Sequence, residues 1–514
     1  MNGRAFQGPF AFPHLRDVDP ARTHRLVFYT AFVVYLITAW NSSGYHSADE
    51  HFQIIAFAQW KLGELPIEHL AWEFEAGIRS SFQPWVAVAV FKAAAALGVH
   101  DPFTRAFLLR ALTALLALAA IRRSVNATLG GYHGAARSAY IVLAYGLWFI
   151  PFLSVRFSSE GWSAILLLHA ITTVHAAPRT RHWALWAGIF AGLAILCRPP
   201  TGAIVSSIVA WSLLVRRDAW RSVLVLLGTT AAVILSGVLM DSLFYGRPTP
   251  SILNYLALGF QGDPAIRFDE LPWWYYPPWI VKYAIPPIGA LLLAAFALLL
   301  IKRPTHPIVW CALPYLLIHS MIPHKELRFL YPLAPLMPWM LMEAWRIAAP
   351  WMARLPLVLR QSTLALLILT NALGLAVVVA SPAGEGRVRL ARPLYQTAQP
   401  GEAIGYAVES GIAWRITLPG FYQPPGTREV IVPDHGTVED PERLRYVIVQ
   451  DGSPPPPLPG STLVPIIGSM PPWCAWLMRW YTWGEGQAPW TLYRVRTAAG
   501  EAGGISAPAL PSGT

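Results

Sequence analysis

Charge is what this chain has least of. Only 13% of its 514 residues are Asp, Glu, Lys or Arg, roughly half the share in soluble domains, and mean hydropathy is +0.42. That excludes an ordinary soluble globule and points to a protein built into a bilayer. Cysteine is nearly as scarce. Cys197, Cys311 and Cys474 stand far apart with no CxxC or zinc spacing, which excludes a disulfide framework and a structural zinc site. Lys61, Lys92, Lys282, Lys302 and Lys325 are the only lysines among 39 basic residues. With abundant Ala and Pro, that bias is typical of a GC-rich bacterial genome. No cleavable leader is apparent: the first apolar run begins near residue 26 and no small-residue cleavage site follows, so it reads as a retained signal anchor.

What is abundant is apolar and aromatic. The chain is 55% hydrophobic, and its 23 Trp and 19 Tyr suit bilayer interfaces. A helix crosses the hydrocarbon core with about 20 apolar residues, or down to about 17. Runs near 26–40, 104–121, 138–153, 161–176, 183–197, 202–215, 221–240, 286–301, 307–322, 329–345 and 361–380 predict eleven membrane helices. Segment 84–98, "PWVAVAVFKAAAALG", is short, opens on Pro-Trp and carries Lys92, so it is expected to lie along the interface.

The net charge of +11 tests this threading. With the N-terminus in the cytoplasm, Arg22 and Arg25, Arg122 and Arg123, Arg216 and Arg217, Lys302 and Arg303, and Arg354 and Arg360 all fall on the inner side. Counting 84–98 as a span would turn the Arg-rich loops outward. The basic balance therefore reflects topology and calls for no nucleic-acid partner. The outer segments are 41–83, 154–160, 198–201, 241–285, 323–328 and everything after 381. They hold nearly all the unusual polar residues, which makes the outside the working face.

The predicted fold is an all-α polytopic membrane protein with a small C-terminal domain of α/β or β content. Residues 1–25 form a cytoplasmic N-terminus. Residues 26–380 form the membrane domain, with interfacial helices in the first outer loop (41–103) and a second long outer loop (241–285). Residues 381–497 form an extracytoplasmic domain, in which "EVIVP" (429–433), "RYVIVQ" (445–450) and "TLYRVR" (491–496) read as strands. Residues 498–514 read as a disordered tail.

Several outer constellations carry chemistry. In "HSADEHFQ" (46–53), Asp49 and Glu50 follow the first span; a carboxylate there suits a general base, or the positive end of a helix. In "LAWEFEAGIRSSFQPW" (70–85), Glu73, Glu75 and Arg79 stand on a helix where Glu75 and Arg79 are spaced to pair at i, i+4. Arg156 and Glu160 share that spacing in "VRFSSEGW", and Arg198 ends a helix at "CRPPTG". Asp241, Tyr245, Arg247 and Asn254 open the long loop, ahead of the aromatic run "ELPWWYYPPW" (270–279). Finally, "PHKELRFL" sets His324, Lys325, Glu326 and Arg328 before a span. Two fixed cations and a His at a helix start suit a phosphate clamp, and an interfacial anchor is the plainer alternative.

"HKELRF" resembles the HKExRF signature of glycosyltransferase family 22, the GT-C mannosyltransferases of GPI-anchor and N-glycan assembly. The other pieces occur in the family's order. "HSADEHFQ" resembles its first-loop HPDE-FQ motif, with Ser-Ala in place of Pro before Asp49. "WEFEAGIRSSFQP" resembles its TWE…RS…P segment, with Ala71 where Thr is usual. "MDSLFYG", with Asn254 after it, resembles its D..FYG loop start. The resemblance covers about residues 26–345 and implies mannose transfer from a polyprenyl-phosphate donor to a glycan or glycolipid acceptor, with inversion. It implies Asp49 as general base with Glu50 as the competing candidate. His324, Lys325 and Arg328 would hold the donor phosphate, and Glu326 would orient one of those cations. Glu73, Arg79, Arg156, Glu160, Asp241, Tyr245 and Asn254 become candidates for substrate binding. No cofactor is required by such chemistry and no metal site is assigned, with a divalent ion left open. The setting would be a bacterial inner membrane with a periplasmic site, or the endoplasmic reticulum in a eukaryote. The rival reading is a transporter or flippase of a lipid-linked saccharide. It lacks an inverted repeat and lacks ionisable residues near mid-membrane.

Overall fold

The computed structural model describes residues 20–176, 182–261, 270–384, 386–407, 418–433, 442–450, 456, 458, 460–481 and 489–497. Residues 1–19 of the expected cytoplasmic start (1–25) and the expected disordered tail (498–514) lie outside them, while 20–25 open the helix Pro20–Asn41. The chain divides into two compact units, 1–380 and 381–514.

In the first unit most residues of each predicted span are helical, but the length and hydropathy of the helices do not establish eleven crossings. Among the described residues three helices, Pro102–Gly131, Trp220–Tyr245 and Leu357–Ala380, are long and apolar enough to cross a membrane. Pro286–Lys302 and Pro307–Met321, bent by 114°, pass the same test only together. The protein is thus a helical membrane protein. Two predicted spans differ from a plain helix. Segment 138–153 is two helices, Gly134–Gly146 and Phe149–Leu153. Segment 329–345 begins as a 3-10 turn, Leu327–Leu336, before the α-helix Met337–Met352. Pro332 and Pro335 explain that start, because a proline has no N–H to give to an α-helical ladder. Segment 84–98 lies on the helix Phe82–Ala96, which buries Ala87, Val88, Phe91 and Ala94 and leaves Lys92 exposed.

Small residues let helices approach closely where lipid supplies no hydrophobic drive. Trp183–Cys197 packs on Trp220–Tyr245 in this way: a Cβ on Gly192 would stand 2.6 Å from Val233 Cβ. The connections gather at two ends of the bundle. At one end Tyr132 and Arg303 both reach Glu343, and Trp211 Nε1 donates to the Thr305 carbonyl. At the other end meet residues 42–50, 156–160, 198, 271 and 322–331.

The second unit carries a five-stranded mixed sheet. The strands are β1 (Ala403–Ala407), β2 (Arg428–Val432), β3 (Leu444–Gln450), β4 (Ser461–Gly468) and β5 (Trp490–Thr497), in the order β2-β1-β3-β5-β4. β1 runs parallel to β2 and β3, while β5 is antiparallel to β3 and β4. Its core holds Val432, Leu444, Val447 and Val449.

Candidate active site

Ser47 caps a short helix, Ala48–Glu50, which continues through a π-helical turn (His51–Ile55) into Ala56–Lys61. Successive side chains on a helix point about 100° apart, so Asp49 and Glu50 meet different surroundings. Glu50 turns inward and is buried. It accepts hydrogen bonds from the amides of His46 (3.1 Å) and Ser47 (3.4 Å) and faces Arg156 Nη1 at 3.6 Å. Burial pushes its carboxyl up, and the nearby guanidinium opposes that. Asp49 turns outward. Its side chain is 24% exposed, and its Oδ2 accepts from Arg328 Nη1 at 2.6 Å.

Arg156 is buried and donates to the carbonyls of Ser42 (2.5 Å) and Gly44 (3.2 Å), which ties the chain leaving Pro20–Asn41 to the site. The expected i, i+4 pair of Arg156 with Glu160 does not form. The helix begins at Ser159, so Arg156 lies outside it. Glu160, only 3% exposed, pairs instead with Arg198 at 2.8 Å and stands 3.6 Å from Arg328. The Arg198 guanidinium lies 4.7 Å from the Phe329 ring centroid.

Glu326 is the hub of the HKELR loop. Its Oε1 lies 3.0 Å from His324 Nε2 and accepts from Arg328 Nη2 at 2.8 Å; its Oε2 accepts from Arg328 Nε. Such fork-on-carboxylate contact fixes the guanidinium plane. Burial pushes the Glu326 carboxyl up, but the hydrogen bonds from His324 and Arg328 outweigh it and hold it down at about 2. Lys325 points the other way and is buried. Its ammonium donates to the carbonyls of Leu271 (2.7 Å), Ile322 (2.6 Å) and Pro323 (3.4 Å).

The remaining candidates form a second cluster. The helix Trp72–Ala76 stops at Gly77, whose φ of 60° is left-handed, so the expected Glu75–Arg79 pair loses its register. Arg79 lies 3.7 Å from Glu73 instead, and Glu73 accepts from Gln53 Nε2 at 2.7 Å. Asp241 is fully buried and accepts from the Ser81 amide (2.6 Å), Ser81 Oγ (2.7 Å), Ser80 Oγ (3.2 Å) and Ser251 Oγ. Tyr245 Oη donates to the Arg79 carbonyl (2.7 Å), and Asn254 Nδ2 donates to that of Gly77 (3.1 Å). These three residues brace the first outer loop against the start of the long one.

The structure therefore joins Asp49, Glu50, Arg156, Glu160, His324, Glu326 and Arg328 in one network, and sets Glu73, Arg79, Asp241, Tyr245 and Asn254 apart. Sequence reasoning undervalued Arg198 and His46 and missed Tyr331. His46 Nε2 lies 2.9 Å from Tyr331 Oη with the rings stacked. Tyr331 stands three residues after Arg328 on a 3-10 turn, where i and i+3 eclipse; that spacing was the available signal. Among the described residues no three His, Cys, Asp or Glu side chains are placed to share a metal ion.

Solved structures share this architecture. ArnT from Cupriavidus metallidurans bound to undecaprenyl phosphate superposes with a TM-score of 0.53 at 12% identity, over 91% of this chain and 97% of ArnT. Its apo state gives 0.50 at 14%, over 93% and 98%. The fold is that of the GT-C membrane glycosyltransferases. Within that class, the chain belongs to the Alg9-like mannosyltransferase family, whose profile matches residues 26–390. GPI mannosyltransferase 3 of Yarrowia lipolytica is 28% identical over 278 residues, 52% of each chain. Mannosyltransferase APTG1 of Arabidopsis thaliana is 21% identical over 61% of this chain and 57% of its own. The chain thus spans about half the length of the curated relatives it matches.

Proposed function

We propose that this protein transfers mannose from a polyprenyl-phosphate donor to a hydroxyl of a glycan or glycolipid acceptor, at the extracytoplasmic face of the membrane and with inversion. The observation that carries the reading is the 2.6 Å contact between Asp49 and Arg328, which joins two motif loops 279 positions apart in sequence. The protein holds an accessible carboxylate against a clamped guanidinium at one end of a helical bundle. A base and an anion-binding group belong together in sugar transfer from a lipid phosphate.

In the resting arrangement Arg328 occupies Asp49. An incoming phosphate competes for the guanidinium and frees the carboxylate. Asp49 then takes the proton of the acceptor hydroxyl as that oxygen attacks C1 of the sugar. The C1–O bond breaks on the opposite face, and the lipid phosphate leaves with the electron pair. Arg328, held flat by Glu326, and His324 stabilise the charge on the departing phosphate. No cofactor takes part in this scheme.

Two of the sequence assignments take different roles here. Glu50 is the fixed partner of Arg156 and not a second base, because its oxygens already serve a helix cap and an ion pair. Lys325 is a staple for the 322–325 turn, because its donors point to carbonyls and away from solvent. The distribution of basic residues between the loops supports a site at the periplasmic face of a bacterial inner membrane, or at the lumenal face of the endoplasmic reticulum.

Purified protein in detergent, given polyprenyl-phosphate-[³H]mannose and a panel of glycan and glycolipid acceptors, tests the proposal. The expected product from a β-linked donor is an α-mannoside, identified by its anomeric C–H coupling. Neither transfer nor donor hydrolysis, or a β product, would contradict it.

A further inference from the structure

In the second unit the helix Pro472–Met478 carries Trp473 and Trp476, and the coiled turn after it carries Trp480. The turn is held by the amides of Arg479 and Trp480, which donate to the carbonyls of Trp476 (3.2 Å) and Leu477 (3.0 Å). The three Trp are thus spaced i, i+3, i+7 and share one face. They are 41%, 57% and 77% exposed, and Arg479 beside them is exposed as well. Soluble surfaces seldom leave three large aromatics in one exposed stripe.

The opposite face of this helix packs inward. Cys474 is buried there, with Ser381 Oγ 3.2 Å from its Sγ. Ser381 is the residue that follows Leu357–Ala380 in the chain, and that helix is long and apolar enough to cross a membrane. The chain therefore enters this unit directly from a helix of that kind. Tryptophan is the side chain that gathers at headgroup depth, its ring in the acyl boundary and its N–H toward water, and Arg extends its charge to the phosphates.

We propose that Trp473, Trp476, Trp480 and Arg479 form a lipid-docking edge that rests this domain on the bilayer interface. The occupant is the phospholipid headgroup layer, not a glycan and not a second copy of the chain.

The test uses the full chain in nanodiscs with one copy per disc. Trp476→Cys is labelled with an environment-sensitive fluorophore. Ile431→Cys, on the exposed edge strand β2, is the control. Lipids spin-labelled near the headgroup should quench the label at 476 several-fold more strongly than at 431. Adding anionic phosphatidylglycerol should deepen quenching in the parent and not in Arg479→Gln. Because a label at 476 removes one ring of the stripe, a second readout uses the native residues: amide exchange across 472–481 should be slower in nanodiscs than in Trp473→Ser/Trp476→Ser/Trp480→Ser. Equal quenching at 476 and 431 together with unchanged exchange would overturn the proposal. So would shielding that appears only with soluble glycan or only when two copies share a disc.

Discussion

Asp49 and Glu50 are neighbours in sequence and opposites in circumstance. One is partly exposed beside a guanidinium, and the other is walled in by a cap and Arg156. Their substitutions should therefore read out differently. Glu50→Gln removes the carboxylate from beside the buried Arg156 guanidinium, and breaking a buried ion pair costs about 3–5 kcal/mol. It should lower the thermal midpoint in a differential-scanning measurement before it alters chemistry. Lys325→Met should behave alike: three carbonyls lose their donor, at about 1–3 kcal/mol for a buried group left unpaired. A raised donor KM with an unchanged thermal midpoint would return Lys325 to the phosphate site.

Glu326 gives the pH dependence at this scale. Its folded pKa, about 2, lies below its ordinary value of 4.5. The stability its ion pairs contribute is therefore complete above pH 4.5 and is lost as pH falls toward 2. Acid unfolding of the parent should steepen in that window, and Glu326→Gln should remove the added steepness. A parent and variant that lose stability in parallel would show that the carboxylate is not held down.

At the scale of elements, the close approach of two helices makes a sharp prediction. Gly192 meets Val233 with no room for a Cβ, so Gly192→Leu must separate Trp183–Cys197 from Trp220–Tyr245. Arg198 stands at the end of the first of these and holds Glu160. The variant should lose both folded yield, followed by monodisperse extraction, and transfer activity; normal yield with normal activity would deny the packing argument.

This is also the scale at which sequence and structure part. Long apolar runs were legible because period and length are local properties. The pairs Arg328–Asp49 and Arg198–Glu160 were not, because only tertiary packing brings those loops together. The i, i+4 pairs expected for Glu75–Arg79 and Arg156–Glu160 presumed helices that in fact end at Ala76 and begin at Ser159. Strands β2, β3 and β5 announced themselves through β-branched runs. β1, "AIGYA", is buried throughout and shows no alternation, and β4 is irregular in register between Pro465 and Ile467, so neither carried a clear strand pattern.

At the scale of the whole molecule, the basic residues sort the loops into two sides, and several of the described loops of the first unit gather in the same two groups. That arrangement predicts sidedness. A cysteine at exposed His133 should react with an impermeant maleimide only from the cytoplasmic side, and one at exposed Trp273 only from the outside. Reactivity from the reverse sides would overturn the threading and with it the placement of the site.

The central claim, that Asp49 is the base released from Arg328 by the donor phosphate, has one most direct measurement. Transfer and donor binding are compared in the parent and in Asp49→Asn, with the donor affinity read separately by equilibrium binding. Loss of a positioned base lowers the rate by about 10²–10⁴-fold. The account predicts that loss together with donor binding that is retained or tighter, because Arg328 no longer has Asp49 to compete for it. Near-normal transfer by Asp49→Asn, or a loss of donor binding that alone accounts for the fall in rate, would contradict it.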